Sequence, residues 1–325
     1  MVVTGPTGDI GRATIRELER RPDVGRIIGM ARRPFDPARH GWERTEYVQG
    51  DVLDSESVDS LVAGADVVVH LAFLIFGDHD ETQRINLEGS SNVFEAAVAA
   101  RAQRLIYTSS VAAYGFHAEN PQPLTEDVEP RGSEEFYYSA QKAELEATLW
   151  ETVEGAATEA FVFRPCIVAG ADATTIIDQL GTEGPLSLLG RLTAALPGVR
   201  PPIPDPGLPM QLVHHDDVAR ALAAAALGEG RPGLYNLAAP GTITTAEIAG
   251  EMGWQRVPIP GFAVKATAAA VARIPFLPAQ AQWVRAVSIP VVMDVSKAAR
   301  ELGWVPEHDT LETLADTVRG VRERG

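Results

Sequence analysis

The stretch "TGPTGDIGRATIREL", from Thr4 to Leu18, limits the possible folds of this chain more than any other. Gly5, Gly8 and Gly11 recur at three-residue intervals between a β-branched lead and an amphipathic helical pattern. Glycines are wanted there because a strand must turn sharply, bring its backbone close to a pyrophosphate and pack the following helix on the sheet. The amides of Asp9 and Ile10 would then meet phosphate at a helix N-terminus, where the partial positive charge lies. A glycine-rich turn without a ligand is the bland alternative. Further on, "RIIGMAR", "EYVQGDV", "DVVVHLAF", "RLIYTSS" and "AFVFRPCIV" read as strands separated by helical patterns. That alternation predicts an α/β fold with a doubly wound parallel sheet. Only Met1 to Thr4 precede the turn, less than an ordinary strand of about five to six residues, so the first strand is expected to begin upstream of Met1.

"YYSAQK" places Tyr138 and Lys142 four residues apart, on one side of a helix, with Tyr137 turned away by about 100°. An isolated pair of this kind is ordinarily surface decoration. With 325 residues and 45% hydrophobic composition the chain has ample material for one large or two modest domains. A net charge of -16 argues against nucleic acid or an anionic membrane as partner. Cys166 is the single cysteine and no Cys/His spacing suggests a metal site, which fits a reducing cytoplasm. No signal-peptide pattern opens the chain, and no apolar run approaches the roughly 18 residues of a spanning helix.

Taken in order, the glycine loop, "GDVLD", "HLAF", "INLEGSSNVFEAA", "YTSSVAAYG", "YYSAQK", "FRPCIVAG", "LVHHDDVARAL", "LYNLAAPGTITTAEIA" and "DVSKAARELGWVP" resemble the extended short-chain dehydrogenase/reductase family, which includes the NAD-dependent epimerases and dehydratases. The resemblance implies a Rossmann domain over residues 1–166, rejoined by about 211–238. A smaller mixed substrate lobe would come from about 167–210 and 239–314. It also implies that Tyr138 passes a proton to or from a carbinol or carbonyl oxygen, that Lys142 favours the phenolate and holds the nicotinamide ribose, and that Ser110 steadies the reacting oxygen. Cofactor contacts would come from Gly5, Gly8, Asp9, Ile10, Gly11, Val52, Leu71, Ala72, Phe73, Tyr138, Lys142 and Pro165, with Asp51 beside the adenine. Members commonly pair two helices across a two-fold axis, so a homodimer through residues near 88–101 and 136–154 is expected.

Arg32 and Arg33 follow the second strand, where NAD-preferring members usually carry an acidic residue. A guanidinium there can receive a 2′-phosphate bidentately, which points to NADP over NAD; two solvated arginines are the alternative. Nucleotide-sugar members usually have an asparagine and an arginine where this chain has Ile167 and Met210. The segment from 171 to 210 is apolar and proline-rich, which suits a small, largely apolar alcohol or ketone. Arg191, Arg200, Arg256 and Arg285 could still clamp a diphosphate. A dehydrogenase or reductase, a nucleotide-sugar epimerase or dehydratase, and a non-catalytic dinucleotide sensor therefore compete. His214 and His215 read as structural, and the acidic residues after "YYSAQK" as a solvated helix face.

Overall fold

The computed structural model describes residues 1–75, 77–173, 200, 202–260 and 289–324. Seven parallel strands form its main sheet. They are β1 (Val2–Thr4), β2 (Ile27–Ala31), β3 (Thr45–Gln49), β4 (Val67–His70), β5 (Arg104–Thr108), β6 (Glu159–Pro165) and β10 (Gly233–Leu237), in the order β10-β6-β5-β4-β1-β2-β3. Helices cover both faces of the central strands, which are largely apolar and whose consecutive residues serve opposite cores, while the edge strand β3 exposes Glu46, Val48 and Gln49. Val3, Val69, Ile106 and Phe163 point to one cluster, with Ile15 and Leu18 of α1 (Asp9–Arg20) and Leu222 of a helix at His215–Ala226. Val2, Val68, Leu105 and Val162 point to the other. There they meet α2 (Ser55–Val62), α4 (Gly89–Ala99) and α5 (Tyr137–Val153), while a short α3 (His79–Gln83) precedes α4. The helix at His215–Ala226 is α6.

Chain order reverses between β1 and β4, whose partners Thr4 and His70 lie side by side. Diverging loops leave a crevice at the carboxyl ends of strands at such a switch point. Two smaller parallel pairs stand apart from the main sheet. One joins β7 (Ile167–Ala169) to β9 (Leu212–His214), and the other joins β8 (Pro202–Asp205) to β11 (Gln255–Pro258). Among the described residues three further helices follow: α7 (Thr245–Met252), α8 (Ser296–Glu301) and α9 (Thr310–Arg324). β1 spans three residues.

Candidate active site

The glycine turn has the close packing its spacing implies. Gly5 has φ +71°, and a Cβ there would lie 2.7 Å from the Ala72 amide nitrogen, so the loops leaving β1 and β4 touch backbone to backbone. A Cβ on Gly11 would lie 2.1 Å from the Gly5 carbonyl oxygen. Gly8 differs: its Cβ would meet only the Gly5 oxygen, at 3.6 Å, which is ordinary contact. As the N-cap of α1 it offers no side-chain hydrogen bond. The fold thus accounts for Gly5 and Gly11, whereas the bare position at Gly8 opens a helix N-terminus to an anion. These features fit a dinucleotide pyrophosphate.

The loop after β4 is fastened on both sides. His70 hydrogen-bonds Thr4 Oγ1 through Nδ1 and Ser90 Oγ through Nε2, each at 2.8 Å. Burial, with the Lys142 charge nearby, pushes its pKa down to about 3, so the ring is neutral. Leu71 donates to the Thr4 carbonyl at 3.1 Å. Asn86 accepts from the Leu74 amide at 2.8 Å and donates to the Leu74 carbonyl at 2.9 Å and to Gln141 Oε1 at 2.8 Å. Val52 is buried and its carbonyl receives Asn92 Nδ2 at 2.9 Å, while Asp51 accepts the Leu53 amide at 3.0 Å. Pro165 ends β6 opposite Leu237.

Beyond the strand ends, Ser110, Tyr138 and Lys142 are brought together, and all three are buried. Ser110 follows β5 and hydrogen-bonds the Tyr138 hydroxyl. Burial raises the phenol to about 12 despite that bond. Lys142 donates to the Thr108 carbonyl at 2.9 Å and to the Tyr107 hydroxyl at 3.2 Å, and its Nζ lies 3.7 Å from the Phe73 ring centroid. Burial drives the amine down to about 7, opposed by the Glu146 carboxylate. Tyr138 itself is walled by Phe73 and Phe136, with ring centroids at 5.6 and 5.7 Å. Tyr137 points elsewhere, its hydroxyl donating to the Ile75 carbonyl at 3.0 Å.

Arg32 and Arg33 sit exposed just past β2, and no carboxylate pairs with either among the described residues. Ile167 and Met210 pack on the same apolar cluster, built on Ala169, Leu212, Ile243, Leu314 and Val318. Of the four candidate clamp arginines, Arg200 is exposed and Arg256 binds the buried Asp205 at 2.6 Å. Arg191, Arg285 and the part of the proline-rich segment from 174 to 199 lie outside the described residues.

Two arrangements escaped sequence reasoning. Glu146, assigned above to a solvated face, is fully buried and paired with the fully buried Arg164. The clue available was its spacing, since Tyr138, Lys142 and Glu146 follow at four-residue intervals. The other is a gathering of His214, His215 and Asp216, whose potential ligand atoms lie within 4.8 Å of one another. Their ring nitrogens already have partners. The Asp216 amide donates to His214 Nδ1 at 3.2 Å, so Nε2 carries the proton toward Asp316, 3.1 Å away. His215 Nδ1 donates to the Ala169 carbonyl at 3.2 Å, and Arg16 reaches Nε2 at 3.5 Å and Asp216 at 2.6 Å. Arg16 thus engages two of the three groups, His215 and Asp216, while His214 is held by Asp316 and the Asp216 amide.

Comparison with known proteins adds relatives to this geometry. The model of the NAD dependent epimerase/dehydratase family matches residues 1–238. An uncharacterized protein, y4nG of Sinorhizobium fredii, is 25% identical over 97% of this chain and 77% of its own length. The human 3 beta-hydroxysteroid dehydrogenase type 7 is 35% identical over 122 residues, 35% of this chain and 33% of its own. Among solved structures, a dTDP-glucose 4,6-dehydratase from Streptomyces venezuelae with NAD bound superimposes with a TM-score of 0.73 at 22% identity, covering 99% of this chain and 96% of the other.

Proposed function

The chain belongs to the NAD-dependent epimerase/dehydratase family, a family of enzymes, and from that premise we propose that it is a dehydrogenase or reductase acting at the carbinol or ketone of a small, largely apolar substrate. A bound nicotinamide cofactor supplies the hydride acceptor or donor. Gly5, Gly8, Asp9, Ile10 and Gly11 hold its pyrophosphate, Asp51 lies beside its adenine, and Val52, Leu71, Ala72, Phe73 and Pro165 line its path. Tyr138 moves the proton at its Oη, and Ser110 aligns the substrate oxygen with that hydroxyl. At about 12 the phenol is protonated at neutral pH, which suits donation to a ketone oxygen. Removing the proton from a carbinol requires Lys142 in its charged form beside the phenolate.

One observation carries the substrate reading: Ile167 and Met210 lie together on one apolar cluster and offer no polar group to a diphosphate. The likeness to a steroid dehydrogenase over 122 residues points the same way. A nucleotide-sugar epimerase or dehydratase is the second reading, favoured by the dTDP-glucose enzyme among the structural neighbours. The intact trio of Ser110, Tyr138 and Lys142 weighs against a cofactor sensor, because binding alone needs no proton donor. Arg32 and Arg33, free of carboxylate partners among the described residues, favour NADP. We assign the protein to the reducing cytoplasm from its lone cysteine. A homodimer through α4 and α5, and the division into a dinucleotide domain and a substrate lobe, complete the reading.

The test is thermal denaturation with NADP or NAD saturating and UDP, dTDP or GDP sugars at millimolar concentration, followed by turnover of apolar ketones and secondary alcohols. The sugars should leave the melting temperature unchanged, and an apolar substrate should turn over. A clear rise with one sugar and conversion of that sugar would replace this reading with the epimerase or dehydratase.

A further inference from the structure

We propose that Glu146 is a positioning residue that fixes Lys142 in its charged, cofactor-holding state; the inference rests on the reading of Lys142 given above. Four consecutive residues at the end of β5 are stitched to one face of α5. Tyr107 and Thr108 receive the Lys142 ammonium, Ser109 donates to Glu146 at 2.5 Å, and Ser110 bonds Tyr138. Glu146 is the deepest of these stitches and the only anion among them. Arg164 Nε reaches its two oxygens at 2.9 and 3.2 Å, and Nη2 binds Oε2 as well.

Arg164 is braced in turn. Its guanidinium lies 4.3 Å from the Tyr114 ring centroid, and the Tyr114 hydroxyl donates to Asn236 Oδ1 at 2.7 Å. The carboxylate is thus paired with the Arg164 guanidinium in a dry interior one helical turn from Lys142, where electrostatic interactions are strong. It opposes the burial that strips the proton from the amine.

The groups around Lys142 are His70, Tyr107 and the Phe73 ring, with Tyr138 one helical turn before it on α5 and packed on the same Phe73 ring. His70 titrates near 3, and burial lifts both phenols above 10. None of these groups changes charge between pH 6 and 9.5, so a profile in that window reports Lys142.

Glu146→Gln alone strands the Arg164 charge and threatens the fold, so the paired variant Glu146→Gln/Arg164→Met, which removes both charges at similar volume, carries the test. The measurement is the dissociation constant of NADH, which has no group titrating in this window, from pH 6 to 9.5 by calorimetry, with wild type and Lys142→Ala in parallel. Wild-type affinity should fall as pH rises through Lys142's titration. In the paired variant that fall should come about one pH unit earlier, giving about fivefold weaker binding at pH 7 and agreement within about a factor of two at pH 6. A folded paired variant whose profile superimposes on the wild type overturns the inference while Lys142→Ala still weakens binding. An unchanged Lys142→Ala profile would overturn the role of Lys142 as well.

Discussion

Replacing Lys142 by methionine should flatten the dependence of stability on pH. The amine's ordinary value of 10.5 is lowered to about 7 in the fold, chiefly by burial. Between those values the unfolded chain holds a proton that the native chain has released, so stability must rise with pH across the window. At roughly 1.4 kcal/mol per pH unit, the whole interval is worth roughly 5 kcal/mol. From pH 7 to 9 the gain is about 2 kcal/mol. Methionine also removes the hydrogen bonds to Thr108 and Tyr107, but that loss does not vary with pH below 9.5, since burial lifts the Tyr107 phenol well above 10. The comparison is therefore between slopes. Urea denaturation of both proteins at intervals from pH 6.5 to 9 measures it, each midpoint converted with its own m-value. Parallel curves would show that the native amine keeps an ordinary pKa, and the account of Lys142 as a desolvated cation would fail.

Gly11→Ala should destabilise by at least several kcal/mol, because its Cβ would meet the Gly5 carbonyl at 2.1 Å, whereas Gly8→Ala should leave urea stability within about 1 kcal/mol and weaken cofactor binding at least about tenfold. Calorimetric binding and denaturation of both variants separate the two effects; an undiminished cofactor affinity in Gly8→Ala would remove the pyrophosphate from this turn. Tyr138→Phe should lower turnover about 10² to 10⁴-fold with cofactor affinity nearly unchanged, and retention of most activity would end the proton-transfer role. Arg32→Ala with Arg33→Ala should erase a preference for NADP, measured as the ratio of dissociation constants for the two cofactors. Equal wild-type affinities would refute the 2′-phosphate contact.

The parts of the fold that sequence reasoning reached are those written in local chemistry. β2, β4 and β5 fall inside three of the five strand-like runs, and β3 and β6 each begin one residue ahead of the other two; the central strands, buried on both faces, have no polar alternation to blur them. Gly5 and Gly11 were legible for a similar reason, since the backbone there leaves no room for a Cβ. Ser110, Tyr138 and Lys142 were legible through the family's pattern, and their burial together is what spacing alone could not supply.

Glu146 shows where local reading stops. Glu144, Glu146, Glu151 and Glu154 share one stretch of helical sequence, and charge on a helix is ordinarily solvated. Three of the four are exposed. What takes Glu146 inside is Arg164, 18 residues later and on β6, which reaches it only after β6 has paired beside β5 under α5. Neither side chain has a place in the core without the other, because an unpaired buried charge is far more costly than a paired one. Their burial is a property of the assembled sheet and helix. The same holds for Lys142: its four-residue spacing from Tyr138 is visible in the sequence, but the Phe73 ring and Thr108 carbonyl that hold its ammonium come from two other strand ends. The surroundings of that ammonium are therefore set by tertiary packing.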